Sequence, residues 1–373
     1  MVTVLIAGGG TGGHVFPMLA VGEAVRALDA EARVVYVGTP RGIEGRAIGE
    51  QAGQELFLLD IAPLRGAGVG GFVRGVARAA GSLPEARALV QRLRPDVALS
   101  AGGYAGGPIA LAARLHGVPV ALLEPNSVLG LSNRLLTPFA ERAYVAFPET
   151  ERGLRPSTVR RSGVPLRRAF LAHPYTPRDE PLQILVLGGS QGAKAINETL
   201  PPALGAAVSA GADVRVVHQT GKDRDADVRA AYAALGLEGR ASVVPFIDDV
   251  AAALAAADLV VERAGASSLA ELCAVGRASI LVPFPFAADD HQLKNARSLE
   301  RAGAAVCVPQ IDATAERLAA EIGALAGDPG RRARMARAAG ELGRPDAARA
   351  VALDLLDLAR SHARRAQRVK EAC

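Results

Sequence analysis

His14 closes a run of glycines, Gly8-Gly9-Gly10-Thr11-Gly12-Gly13, that follows the apolar stretch Val2–Ala7. An imidazole titrates near neutrality and accepts a proton from a hydroxyl. The glycines beside it let the backbone turn sharply and come close to a ligand. The competing reading is a histidine that caps or packs the helix beginning there. A second glycine turn, Gly188-Gly189-Ser190-Gln191-Gly192, follows the apolar run Ile184–Leu187. Its backbone N–H groups and the Ser190 hydroxyl suit a phosphate or diphosphate; the alternative is a tight turn with no ligand. Two such turns, one per half, predict two α/β domains facing each other across a cleft, an arrangement for joining two substrates.

Three further groups of residues carry chemistry. Ser267 and Glu271 stand four apart after the strand-like run Leu259–Glu262, on one face of the helix expected there. A carboxylate at that place accepts both hydroxyls of a ribose, while the helix start faces phosphate; alternatively Ser267 and Ser268 are N-caps. Gln292, in Asp289-Asp290-His291-Gln292, offers donors and an acceptor to sugar hydroxyls. Adjacent carboxylates point apart, so no metal is expected at Asp289-Asp290-His291. Gly102-Gly103-Tyr104 and Glu124-Pro125-Asn126 each follow a strand-like run. Strand C-termini are where open α/β sheets bind ligands, so these motifs converge on one crevice of the first half.

Two familiar phosphate motifs are disfavoured. Gly8-x-Gly10-x-x-Gly13 has the spacing of a dinucleotide fingerprint, but the second strand ends Tyr36-Val37-Gly38-Thr39 without the carboxylate that holds a ribose. No Gly-Lys-Ser/Thr follows either turn, so neither is a P-loop.

Short apolar runs position all these residues. Val34–Gly38, Pro95–Ser100, Pro119–Glu124 and Arg142–Phe147 alternate with Ala/Leu/Arg-rich stretches of helical length. The rhythm restarts at Ile184 and continues through Val214–His218, Ala241–Phe246, Leu259–Glu262, Ser279–Pro283 and Ala305–Pro309. Such alternation predicts parallel sheets covered by helices on both faces. The first domain is expected over 1–162 and the second over 163–344, with a helix over 345–373. Val351, Leu355 and Leu358 fall on one face of that helix.

Composition narrows the classes. With 373 residues, 50% of them hydrophobic and 22% charged, the chain is long enough for two folded domains. Its three cysteines are scattered, which fits a reducing compartment. No apolar run reaches membrane-spanning length and no signal peptide is visible, so the cytoplasm is expected. A net charge of +5 favours an anionic partner. Aromatics are only 4% and tryptophan is absent, which argues against nucleic acid. Gly66–Arg94 is basic and nearly free of acid, with Phe72, Val73 and Val76 among Arg65, Arg74, Arg78, Arg87, Arg92 and Arg94. It reads either as a patch that docks on an anionic membrane or as an amphipathic helix with a solvated basic face.

Taken in order, several motifs resemble the MurG family of bacterial peptidoglycan glycosyltransferases over essentially the whole chain. They are Gly9–His14, Gly102-Gly103-Tyr104, Gly188–Ala193, Phe246-Ile247-Asp248-Asp249, Arg263-Ala264-Gly265-Ala266 and Asp290–Ala296. The resemblance implies the GT-B fold, α/β with two Rossmann-like domains, and a last helix crossing back onto the first. It implies transfer of N-acetylglucosamine from UDP-GlcNAc to the 4-hydroxyl of undecaprenyl-pyrophosphoryl-MurNAc-pentapeptide (lipid I), with inversion and without a cofactor or metal. By resemblance, Ile247 contacts uracil through its backbone and Glu271 takes the ribose. Ser190 and Ala266, Ser267 and Ser268 lie by the donor diphosphate, Gln292 and Asn126 reach the sugar, and Arg167 lines the donor site. Thr11, Gly12 and Gly13 meet the acceptor diphosphate, and the lipid meets the patch at the cytoplasmic face of the membrane. His14 is the expected base and Glu124 the second candidate.

The chain departs from the family at Leu123 and Pro125, where many members have histidine and glutamine. Val164 stands where asparagine is common, and Ala264 where serine is frequent. The rival readings are a glycosyltransferase acting on diacylglycerol, a UDP-GlcNAc 2-epimerase, and a silent membrane-docked scaffold.

Overall fold

The computed structural model describes residues 1–9, 12–40, 54–60, 81–178, 181–189 and 192–372. The chain forms two compact units, Met1–Arg168 with Asp346–Cys373, and Ala169–Pro345.

The first unit runs β1 (Thr3–Ala7), α1 (Gly12–Leu28), β2 (Arg33–Gly38), β3 (Glu55–Leu58), α2 (Leu83–Leu93), β4 (Val97–Ser100), α3 (Gly103–Leu115), β5 (Val120–Glu124), α4 (Leu131–Leu136), β6 (Arg142–Val145) and β7 (Val159–Arg161). Its strands pair in parallel in the order β3-β2-β1-β4-β5-β6-β7. The chain winds outward from β1 in both directions, so β1 and β4 flank the point where the winding reverses. Ligand crevices of open α/β sheets open at the carboxyl ends of such a strand pair. The turns Gly8-Gly9 and Ala101-Gly102 leave the sheet there. All five β1 residues are buried, as a strand covered on both faces requires.

The C-terminal helix, Ala347–Ala372, belongs to this unit and packs on α1. Val351, Ala352, Leu355, Leu356, Leu358 and Ala359 enter the core built from Val4, Ile6, Met18, Val21 and Tyr36. Asp354, on the same helix, accepts hydrogen bonds from Tyr144 Oη at 2.8 Å and Arg142 Nε at 3.0 Å. Among the described residues no helix is long and apolar enough to cross a membrane.

The second unit repeats the plan with β8 (Leu182–Leu187), α5 (Lys194–Ser209), β9 (Val214–Gln219), α6 (Asp225–Ala233), β10 (Ala241–Val244), α7 (Val250–Ala256), β11 (Leu259–Glu262), α8 (Ala266–Val275), β12 (Ala278–Leu281), α9 (His291–Arg301), β13 (Ala305–Cys307), α10 (Ala315–Ala326) and α11 (Pro329–Leu342). The parallel order is β10-β9-β8-β11-β12-β13, with its reversal between β8 and β11. The entering segment is held down by a buried arginine. Arg277 donates to His173 O at 2.8 Å and Ala255 O at 2.7 Å, and its guanidinium lies 5.5 Å from the Tyr175 ring centre.

Each expected strand is present, some shorter than expected. Two strands were not anticipated, β3 and β7, with the sequences Glu-Leu-Phe-Leu and Val-Arg-Arg. Both are edge strands, with a neighbour on one side only. An edge position tolerates charge and needs less apolar surface, so the sequence signal is weak.

Candidate active site

In the first unit two glycine turns meet backbone to backbone. A Cβ on Gly103 would stand 2.3 Å from Gly9 O, and Gly103 has φ +70. Only glycine fits both the space and the left-handed backbone. Gly102 has φ +81, and a Cβ there would meet His14 Cε1 at 3.4 Å and Asn133 Nδ2 at 3.5 Å. The half-buried imidazole of His14 thus sits beside Gly102, in the first turn of α1. Gly12 and Gly13 are the two residues before it in that turn, where backbone N–H groups lack intrahelical acceptors. Thr11 lies outside the described residues.

Behind this turn runs a hydrogen-bonded chain. Ser100 Oγ accepts from Gly102 N at 3.3 Å and donates to Asn133 Oδ1 at 3.1 Å. Asn133 Nδ2 donates to Glu124 Oε2 at 3.1 Å and to Leu123 O at 3.0 Å. Glu124, the last residue of β5, also accepts from Gly130 N at 2.9 Å, Asn126 N at 3.2 Å and Asn126 Nδ2 at 3.3 Å. Its side chain is 2% exposed. Burial pushes the carboxyl above the usual carboxylate range, and the donors from Gly130, Asn133 and Asn126 pull the other way. Glu124 therefore braces the loop that carries half-buried Asn126. Ser100 and Asn133 were missed from sequence. One lies on a core strand and one on a short helix, without a motif to mark either. Arg167 is exposed, with its guanidinium 5.7 Å from the ring centre of Phe16, two residues after His14.

In the second unit the start of α8 is capped by Gly265, without a side-chain cap. The capping alternative for Ser267 and Ser268 is thereby corrected: both lie inside the first turn, because the chain enters the helix one residue before Ala266. The backbone N–H groups of Ala266, Ser267 and Ser268 thus form an uncapped positive helix end. Ser267 Oγ is buried with no hydrogen-bond partner among the described residues. Glu271 follows one turn later and is half-buried.

Glu262, at the end of β11, is 1% exposed, and neither carboxyl oxygen has a hydrogen-bond partner among the described residues. Burial, and then the charge of Glu271, push its carboxyl well above the usual range. Burial also pushes the Cys273 thiol up to about 12, with Glu262 adding to it.

Arg263 and two amides tie the neighbouring turns to this helix start. Arg263 Nη1 donates to Val282 O at 2.9 Å, and Asn295 Nδ2 donates to Ala264 O at 3.2 Å. Gln292, the second residue of α9, accepts from Phe284 N at 3.0 Å through Oε1. Ile247 follows β10 and is half-buried, beside exposed Phe246. Ser190 lies outside the described residues, but the ends of its turn are seen: Gly192 N donates to Gly189 O at 3.0 Å. Among the described residues no three His, Cys, Asp or Glu side chains gather as metal ligands. His291 instead bonds Ala288 O through Nδ1 at 2.8 Å.

Of the basic segment, Arg87, Arg92 and Arg94 are exposed on and just after α2, and Arg92 lies over the Phe57 ring. Arg65, Phe72, Val73, Arg74, Val76 and Arg78 lie outside the described residues.

Comparison with known proteins bears on both units. The glycosyltransferase family 28 N-terminal domain matches residues 4–145, and the C-terminal domain of that family matches residues 183–351. A Sorangium cellulosum protein is 69% identical over 370 residues, covering 99% of this chain and 91% of that one. It is named UDP-N-acetylglucosamine--N-acetylmuramyl-(pentapeptide) pyrophosphoryl-undecaprenol N-acetylglucosamine transferase. The crystal structure of Acinetobacter baumannii MurG aligns with a TM-score of 0.81 at 33% identity, over 96% of this chain and 100% of that one. A UDP-GlcNAc 2-epimerase from Neisseria meningitidis aligns with a TM-score of 0.66 at 12% identity, over 96% of this chain and 100% of that one. At that identity the likeness is one of fold alone.

Proposed function

The chain belongs to glycosyltransferase family 28, and from that premise we propose how its residues divide the work of one transfer reaction. The enzyme moves N-acetylglucosamine from UDP-GlcNAc to the 4-hydroxyl of lipid I and makes lipid II, a step of peptidoglycan synthesis. The observation that carries this reading is the near-full-length identity to the Sorangium transferase. The low-identity epimerase likeness does not compete with it, because one fold hosts both chemistries.

In this reading the second unit holds the donor. The uncapped start of α8, from Ala266 to Ser268, takes the diphosphate, and the Ser267 hydroxyl, which has no hydrogen-bond partner among the described residues, supplies a further donor. Glu271 accepts the ribose hydroxyls and the backbone at Ile247 meets the uracil. Gln292 has its Oε1 committed to Phe284 N, which orients its Nε2 donor toward the sugar. Ser190, Asn126 and Arg167 keep the donor roles that the family resemblance gives them. The first unit holds the acceptor, with its diphosphate at Thr11, Gly12 and Gly13, where the helix start favours anions.

The acceptor 4-oxygen attacks C1 of the sugar from the face opposite UDP. Its proton passes to His14 as the new bond forms. The C1–O bond to the β-phosphate breaks, and its electron pair leaves with UDP. The resulting charge falls on backbone N–H groups already aimed at the diphosphate, so no metal or cofactor is assigned to the step. Glu124 spends its oxygens on Asn126, Gly130 and Asn133, which supports a bracing role over a base role. The basic segment Arg65–Arg94 is proposed as the contact with the cytoplasmic face of the membrane, where the enzyme is peripheral.

The test is UDP release by purified protein given UDP-GlcNAc, with and without a soluble lipid I analogue. Acceptor-dependent release with a β-linked disaccharide is expected. Release or epimerisation without acceptor would overturn the reading.

A further inference from the structure

Gln219 ends β9, is 4% exposed, and uses every hydrogen-bonding group of its side chain on backbone. Its Oε1 accepts from Gly188 N at 3.0 Å. Its Nε2 donates to Gly189 O at 3.0 Å and to Pro245 O at 3.1 Å. Gly188 and Gly189 open the second glycine turn, and Pro245 leads into Phe246 and Ile247. One buried amide therefore ties the two backbone segments to which the diphosphate and the uracil are assigned.

The rest of that strand end supports the same grip. A Cβ on Gly192 would stand 2.1 Å from Thr220 O, so the far end of the turn lies directly on the residue after Gln219. Asn197 Nδ2 donates to Thr220 O at 2.9 Å, and Asn197 Oδ1 meets His218 Nε2 at 3.1 Å. His218 Nδ1 meets Tyr232 Oη at 3.0 Å, which closes a buried network behind the turn.

The first unit supplies an internal control. Its glycine turn leaves β1 with the same topology, and Gly8 N donates to Val37 O at 3.1 Å, as Gly188 N donates to Gln219 O at 3.2 Å. In strand register Val37 faces Ala7 as Gln219 faces Leu187. At that register position in the first unit stands a buried apolar valine, which offers only its backbone carbonyl to Gly8 N. The amide in the second unit is an addition to the fold. A buried amide carries a desolvation cost unless all its groups are paired, which makes its position here specific.

We propose that Gln219 is a positioning residue for the nucleotide donor: its side chain fixes the spacing between the diphosphate turn and the uracil-contacting segment. The inference rests on the donor reading of the second unit given above. It predicts that ligands spanning both segments depend on Gln219, while a ligand touching only the base segment does not.

The experiment measures binding of UDP and of uridine to the full chain for wild type, Gln219→Met, Gln219→Glu and Glu271→Ala, with donor KM and kcat for each. Gln219→Met keeps the length and loses all three bonds. Gln219→Glu keeps the shape and the Oε1 acceptor but loses both donors, and serves if the methionine variant does not fold. For either variant, UDP affinity is expected to fall about tenfold, the value of roughly one to two net hydrogen bonds. Donor KM should rise by a similar factor, while uridine affinity stays within about twofold and kcat at saturating donor changes less than KM. UDP affinity unchanged in the Gln219 variants but weakened by Glu271→Ala would overturn the inference and leave the donor site standing. Equal loss of uridine and UDP would also overturn it, since that marks a general disturbance of the unit. UDP affinity unaltered by Glu271→Ala would overturn the donor reading, and this inference with it.

Discussion

His14 and Glu124 show how burial separates two residues that sequence alone leaves as rival bases. Both are titratable and both lie at or after a strand end, yet Glu124 is sealed in and hydrogen-bonded from three residues, while His14 is half-buried in the first turn of α1. His14→Ala is therefore expected to lower kcat by about 100-fold or more, the range of general-base removal, with UDP affinity nearly unchanged. Steady-state rates alongside UDP titration check this; an unaltered rate would remove His14 as base. Glu262 makes a separate prediction about pH. Its carboxyl is held above the usual range when folded, so the unfolded chain loses this proton first as pH rises. Its contribution to stability is fully present below the unfolded value of about 4.3 and is lost as pH climbs toward the folded value. Glu262→Gln should therefore gain stability relative to wild type in the pH window above the unfolded value. Melting temperatures across that window test it, and a constant difference would show that Glu262 does not titrate there. His218, pushed down to about 4 by burial, acts in the opposite direction on the acid side.

At the scale of elements, the glycine turns were legible because glycine is the residue that left-handed, closely packed backbone demands. Gly103 against Gly9 and Gly192 against Thr220 are the contacts behind that demand. Helix starts were legible too, but the capping residue of α8 was not, since serines two and three positions inside resemble caps in sequence. The C-terminal helix shows its apolar face through Val351, Leu355 and Leu358, while nothing in the pattern marks Asp354 as the partner of Tyr144 and Arg142. Removing that carboxylate leaves the buried Tyr144 hydroxyl without its acceptor. Asp354→Ala is expected to cost about 1–3 kcal/mol, read as a fall in melting temperature of a few degrees. Tyr144→Phe combined with it should add little, because the two share one interaction. A full additive loss would mean that the pair does not act together.

For the molecule as a whole, the two units share one winding order, each reversing between its first and fourth strands. That duplication places a glycine turn at each reversal, one assigned to the acceptor and one to the donor. The remaining proposal at this scale is attraction to an anionic membrane surface. The net charge is +5, and the segment Arg65–Arg94 concentrates arginines beside Phe72, Val73 and Val76. Each basic residue near an anionic bilayer contributes about 1 kcal/mol. Reversing Arg74 and Arg78 to Glu should therefore weaken binding to anionic vesicles by 10-fold or more at low salt, with transfer to a soluble acceptor analogue retained. Undiminished sedimentation with vesicles would place the membrane contact elsewhere.

Local sequence was enough for the repeated α/β plan, the strand and helix rhythm, the glycine turns with His14 after the first, and Ser267, Glu271 and Gln292 as candidate site residues. These are local: periodicity sets the elements, and backbone sterics select glycine. The fold was needed to show that Gln219 clamps the second turn, that Glu124, Asn133 and Ser100 form one chain behind the first, and that Glu262 is buried with no hydrogen-bond partner among the described residues. Each depends on residues distant in sequence meeting in a desolvated interior, where an amide or carboxyl is held by its partners or costs free energy without them.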